Sequence, residues 1–290
     1  MEVSLLFWIG FIILVMILLS LDMFVFNKKG TVINVKKALW LSLFWISLAL
    51  LFNAGVYIVF GKERALEFLT AYLIEESLSI DNLFVFIINF TAFKIKPEHQ
   101  HSVLFWGILG AIVFRAIFIF AGVALIERFA WIMYVFGAFL LFTGAKMVVN
   151  EFKVIDHEKE KEKQNPDNNW LVKTFRKFMP ITDDMSEPIF FKKINKRLYA
   201  TPFFLTLLVI EFTDLIFAID SIPAVLSVST NTFIVYTSNI FAILGLRSLY
   251  FALRGIMDLF NYLKYALSGI LIFIGFKMII HHYAHTVAWD

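Results

Sequence analysis

Eight long apolar runs, each close to the length that crosses a bilayer, confine this 290-residue chain to one broad architecture. A spanning helix takes about 20 mostly apolar residues. The runs lie at approximately 3–26, 38–60, 66–92, 102–126, 129–149, 201–229, 232–253 and 260–283. Hydrophobic residues make up 60% of the chain, against roughly 45–50% in soluble domains. The expectation is an all-α, polytopic membrane protein of about eight transmembrane helices. Soluble enzyme folds are excluded, and so are outer-membrane barrels, whose strands alternate in polarity instead of running apolar. Cys is absent, which removes disulfides, thiolate ligands and Cys redox chemistry. The net charge of +3 gives no case for nucleic acid. Val3 to Phe26 is too long for a cleavable signal and lacks a basic start, so it reads as the first span.

Loop charge sets the expected orientation. The first loop carries Lys28, Lys29, Lys36 and Lys37 without an acid, and the third adds Lys94 and Lys96. The fifth, about 150–200, holds eleven Lys/Arg and nine Asp/Glu. The even-numbered loops are poor in charge, the sixth having none. Positive residues mark cytoplasmic loops, so both termini are expected outside. Within the fifth loop, Lys153 to Lys163 alternates Lys and Glu as an exposed helical extension would, until Asn165-Pro166-Asp167 breaks it. The cluster Lys192, Lys193, Lys196 and Arg197 reads as an anchor at the anionic lipid surface.

The chain also resembles itself. Glu75 and Asp81 match Asp214 and Asp220 at an offset of 139; Arg115 matches Arg247 at 132; Gly144-Ala145-Lys146-Met147 matches Gly275-Phe276-Lys277-Met278 at 131. Each unit has three helices, an odd number, so the second copy enters the membrane inverted, as in secondary transporters with a midplane site. The division is then 1–65 (two N-terminal helices, a peripheral addition), 66–149 (first repeat, helices three to five), 150–200 (cytoplasmic loop) and 201–290 (second repeat, helices six to eight).

An acid at the bilayer centre costs about 2.5–3.5 kcal/mol on insertion scales. Helix three carries Glu75, Glu76 and Asp81, and helix six carries Glu211, Asp214 and Asp220. Arg115 and Arg247 alone cannot neutralise so many carboxylates, so fixed internal salt bridges leave acids unexplained and a cationic cargo is expected. At 100° per residue, Glu75, Ser79 and Asn82 share one face, and Asp214 and Ser221 share the matching face. Asp81 and Asp220 point elsewhere on a regular helix and join the site only if the helix unwinds. Pro223 supplies a reason for a break near Ile219 and Asp220. Glu76 and Glu211 have no acidic counterpart in the other repeat and rank second, with Ser79. Arg115 and Arg247 are expected to balance the acids when the ion is absent. Lys146 and Lys277 either add to that balance or, more in keeping with their place at helix ends, snorkel to the interface, and Met147 and Met278 read as packing.

The candidate ligands, Glu75, Asp81, Asn82, Asp214, Asp220 and Ser221, form a hard oxygen set suited to Mg²⁺, Ca²⁺ or Mn²⁺. His281, His282 and His285 have two-ligand spacing but read as polar chain termination.

Glu75-Glu76-Ser77-Leu78-Ser79-Ile80-Asp81-Asn82-Leu83-Phe84-Val85-Phe86 resembles the TerC family of integral membrane proteins, closest to its Alx-like branch. So do Glu211-Phe212-Thr213-Asp214-Leu215-Ile216-Phe217-Ala218-Ile219-Asp220-Ser221-Ile222-Pro223-Ala224 and the run Thr237 to Arg247. The resemblance implies kinship with LysE-type transporters, 3+3 inverted repeats and manganese efflux, often under a tellurium-resistance label. It maps the family's acidic positions onto Glu75, Asp81, Asp214 and Asp220. Relatives usually carry a further C-terminal membrane helix, whereas this sequence stops at Asp290. The resulting expectation is a multi-pass protein of the bacterial cytoplasmic membrane, not an enzyme and without a cofactor, exporting Mn²⁺ in possible exchange for protons. Calcium or another hard divalent ion is the alternative cargo. The rival is a non-transporting stress-resistance scaffold that recruits the secretion machinery or another membrane protein.

Overall fold

The computed structural model describes residues 4–22, 34–129, 131–152, 170–182, 184–185, 187–254 and 269–280; the side chains of Asp81 and of 147–152 lie outside that set. The helices are α1 (Leu5–Leu21), α2 (Val35–Ala92), α3 (Pro97–Arg128), α4 (Ile132–Phe152), α5 (Trp170–Phe178), α6 (Pro202–Leu226), α7 (Thr232–Arg254) and α8 (Gly269–Ile280). α2 is two helices joined at Gly61, whose φ of 86° lies where only glycine is comfortable. Phe52 and Phe68 would stand about 24 Å apart along one straight helix, yet their ring centroids are 5.4 Å apart. The limbs 35–60 and 62–92 therefore fold back on one another, and each of the eight expected spans holds a helix over its described residues. The chain is an all-α polytopic membrane protein; among the described residues, four helices are long and apolar enough to cross a membrane and three shorter ones are apolar.

Helix α7 is the axis of the molecule, buried nearly all round. The hydroxyls of Thr237, Ser238 and Ser248 bond carbonyls of their own helix, so they can be buried without outside partners. Asn239 and Arg247 cannot satisfy themselves in this way and reach across to neighbouring helices. An aromatic core of Phe11, Phe52, Phe68, Phe233 and Phe241 ties α1 and both limbs of α2 to α7, with Phe52 and Phe241 4.7 Å apart. A second core joins Phe86, Phe90 and Leu104 to Phe203 and Tyr250. Helices α4 and α8 meet through Gly137 and Gly275, where a Cβ on Gly275 would lie 2.9 Å from the Gly137 carbonyl oxygen. Met278 is buried in the apolar cluster beside them.

Three expectations are corrected. The two N-terminal helices are not peripheral, because α1 and the first limb of α2 form one side of the principal core. Pro223 does not break its helix: α6 runs on to Leu226, and Pro223 begins the last turn, where its carbonyl still accepts from Ser227 N. The second limb of α2 is likewise helical through Glu75 to Asn82. Finally, the fifth loop contains a short antiparallel hairpin, β1 (Phe191–Ile194) with β2 (Arg197–Ala200). Asn195 and Lys196 turn it with φ of 49° and 67°, which gives the tight reversal that a two-residue hairpin needs. Lys193, Lys196 and Arg197 are exposed on it, and Lys192 pairs with Asp184. The Lys153–Lys163 extension and His281, His282 and His285 lie outside the described residues.

Candidate functional site

By volume, the two largest fully buried side chains among the described residues are arginines, Arg115 and Arg247. A guanidinium carries five N–H donors and a permanent charge, so each demands acceptors where it is buried. Arg115, on α3, finds them on three other helices. Its Nη1 pairs with Glu75 and donates to Asn239 Oδ1 at 3.2 Å and Ser221 Oγ at 3.5 Å. Its Nη2 donates to Asp214 Oδ1 at 3.3 Å. Asn239 Nδ2 in turn donates to Glu75 Oε2 at 2.9 Å, and Ser79 Oγ to Glu75 Oε1 at 3.4 Å. Glu75 is 0% exposed and Asp214 5%. One internal cation thus bridges a carboxylate from the second limb of α2 and a carboxylate from α6.

Of the expected site residues, Glu75, Ser79, Asp214, Ser221 and Arg115 meet here. Asn82, two turns beyond Glu75 on the same face, is buried as well. Asn239 was not singled out from the sequence, since a lone amide in an apolar helix costs far less than a carboxylate and leaves no outlier. Asp220 stands apart. Six residues after Asp214 on an unbroken helix, it faces α4, where Thr143 Oγ1 donates to it at 3.2 Å. It would have joined the cluster only through the break that α6 lacks. The side chain of Asp81 lies outside the described residues. Lys146 and Lys277 are exposed, away from the buried cluster. Among the described residues, no three Asp, Glu or His side chains converge as a ready-made metal site; Arg115 stands between the acids.

The second-tier acids flank this centre. Glu211 lies against Gly110, where a Cβ would come within 2.2 Å of its carboxylate. Glu76 lies near Gly245, its Oε1 3.9 Å from the corresponding Cβ position. Each has an Oε2 buried without a hydrogen-bond partner among the described residues. Arg247 is not at the centre, although Arg115 is its counterpart in the sequence repeat. It pairs with Asp22 at the end of α1 and lies over the Phe105 ring at 6.0 Å. Asp22 was also missed, although it is the one charged residue in the apolar stretch 3–26.

Polar contacts link helices toward both ends of the bundle. At one end Tyr250 Oη and Arg254 Nη1 each donate to Gln100 Oε1 at 2.9 Å. At the other, Arg64 holds Glu67 at 2.7 Å, and Ser229 Oγ donates to Glu67 at 2.5 Å. The charged centre between them is buried, with Glu75, Arg115 and Asp214 all within the bundle.

Helices that bury a bridged carboxylate pair at the heart of an apolar bundle define an integral membrane protein with an intramembrane ionic centre. A family model described as "Integral membrane protein TerC family" matches residues 60–289, and the chain belongs to that family. It is 50% identical over 273 residues to an uncharacterised membrane protein of Myxococcus xanthus, covering 94% of this chain and 83% of that one. A membrane protein of Rickettsia bellii is 44% identical over 282 residues, covering 97% and 90%. A protein of Escherichia coli K12 named as a candidate membrane-bound redox modulator, Alx, is 46% identical over 289 residues, covering 97% and 87%. No solved structure matches.

Proposed function

We propose that this protein is a secondary-active exporter of a hard divalent cation, Mn²⁺ foremost, in the bacterial cytoplasmic membrane with its N-terminus outside. The observation that carries this reading is the bridging of Glu75 and Asp214 by fully buried Arg115. The bridge joins the two segments that the sequence repeat pairs, as a site between 3+3 inverted repeats requires. Two carboxylates with Ser79, Asn82, Ser221 and Asn239 supply oxygen ligands of the type that suits Mn²⁺ or Ca²⁺. In this reading Arg115, standing between the two acids, is the resident cation. Metal entry requires Arg115 to withdraw, and its return expels the ion. Asp81 and Asp220, the other two acids of the sequence repeat, serve in this reading as further ligands to the ion in transit. Export against an inside-negative potential works against about 2.3 kcal/mol per charge per 100 mV, so a counter-ion is needed. Protons are the counter-ion of this reading.

The test is intracellular metal content in Mn²⁺-loaded cells expressing wild type, Glu75→Gln, Asp214→Asn or Asp81→Asn. Manganese should fall with the wild type and recover with the variants while calcium stays constant. Calcium moving in its place would transfer the reading to that ion. The name of the E. coli relative favours a second reading, modulation of redox state. With no Cys in the chain, such an effect would not pass through a thiol of its own. Unchanged metal content with an altered thiol balance in the cell envelope would favour it, and no change in either would favour the scaffold.

A further inference from the structure

Arg247 is 2% exposed, and its Nε and Nη1 have no hydrogen-bond partner among the described residues. It lines a small cavity between α3, α6 and α7 together with Leu104, Gly107, Ile210, Glu211 and Asp214. That cavity therefore joins a half-satisfied guanidinium to two carboxylates, one of which, Asp214, belongs to the Arg115 centre and the other of which, Glu211, has an unpartnered oxygen. By charge alone Arg247 belongs with those acids. What faces it instead is Asp22, itself 4% exposed. The matched family region starts at residue 60, so this partner comes from a helix outside it.

We propose that Asp22 is a positioning residue for the cation site: by holding Arg247 at the α1 side of the cavity, it keeps that guanidinium from crossing to Glu211 and Asp214 and neutralising them. The inference rests on the transport reading above and adds to it a role for α1. Among the described residues two arginines are fully buried, Arg115 and Arg247, and only one is needed as the exchangeable internal cation. A second guanidinium among the same acids would compete with the cargo permanently. A neighbouring cation a few ångströms away repels a divalent ion strongly at the effective dielectric of such sites, enough to weaken its binding. Asp22 removes that competitor without removing the charge on which α7 is built.

The experiment titrates Mn²⁺ into the purified full-length chain by calorimetry, for wild type, Asp22→Asn, Asp22→Glu and the double variant Asp22→Asn/Arg247→Gln. Asp22→Asn should weaken binding at least about tenfold, Asp22→Glu should stay near wild type, and the double variant should recover wild-type affinity because the competitor is gone. Wild-type affinity in Asp22→Asn overturns the proposal. So does a double variant as weak as Asp22→Asn, since that pattern marks a merely structural ion pair. If Asp22→Asn does not fold, the double variant, which lacks the unpaired buried charge, decides alone: near-wild-type affinity sustains the proposal and weak affinity overturns it. Absence of binding by the wild type removes the transport reading and this inference with it, an outcome distinct from wild-type binding that is indifferent to Asp22.

Discussion

Arg115 makes the sharpest demand at the scale of single residues. Replacing it with Gln leaves Glu75 and Asp214 as buried acids without a counter-charge, and breaking a buried pair from one side costs about 3–5 kcal/mol. Arg115→Gln should lower the melting temperature in detergent markedly, and Arg115→Lys should recover only part, because an ammonium cannot span partners on three helices. Added Mn²⁺ should raise the melting temperature of the Gln variant more than that of the wild type, since the ion then supplies the missing charge. An equal response in both would remove Arg115 from the ion's place. Asn239→Leu tests the missed member: it strips Glu75 of a 2.9 Å donor and should cost about 1–3 kcal/mol. Carboxylates in apolar helices are legible in a sequence because their cost is an outlier. Asn239 carries no such outlier, and nothing in the repeat separates Arg247, tied to Asp22, from its counterpart Arg115.

At the scale of elements, the spans were legible because hydropathy and length alone decide them, whereas helix breaks were not. Proline proved the poorer guide. Pro223 lies so near the end of α6 that it removes a single ladder bond and leaves the helix intact, while Gly61 reverses the chain through a backbone angle that no hydropathy pattern displays. Two predictions separate these roles. Pro223→Ala should leave metal export unchanged, because no unwound carbonyls there serve as ligands; lost export would restore the broken-helix picture. Gly61→Ala should destabilise by about 1–3 kcal/mol from backbone strain alone, since a Cβ there meets nothing within 4 Å. Gly275→Ala should lower the melting temperature for a different reason: its Cβ would press on backbone, 2.9 Å from Gly137 O and 3.0 Å from Leu141 N, which forces α4 and α8 apart. The β1–β2 hairpin escaped the sequence reading because Lys192 to Arg197 drew attention as charge, and an Asn-Lys turn lacks the glycine that announces most tight reversals.

At the scale of the whole molecule, the proposed orientation and the buried centre make one joint prediction. The charge-rich fifth loop and the hairpin adjoin the start of α6, and the Gln100–Tyr250–Arg254 contact lies at that same end. Glu67 and Ser229 meet at the opposite end, beside the uncharged link to α7. If loop charge sets topology, the hairpin end faces the cytoplasm. The chain has no Cys, so single cysteines report without background. Thr230→Cys, exposed in the α6–α7 link, should react with a membrane-impermeant maleimide in intact cells, and Lys193→Cys only after permeabilisation. A cysteine at Ser221, 2% exposed at the centre, should resist the reagent from both sides in the metal-free protein. It should become reactive from one side as Mn²⁺ is supplied, if Arg115 withdraws to admit the ion. Reactivity of Ser221→Cys from both sides at once would describe a channel and exclude alternating access. Reversal of the Thr230 and Lys193 pattern would invert the protein in its membrane, leaving the buried Arg115 bridge in place but turning export into uptake.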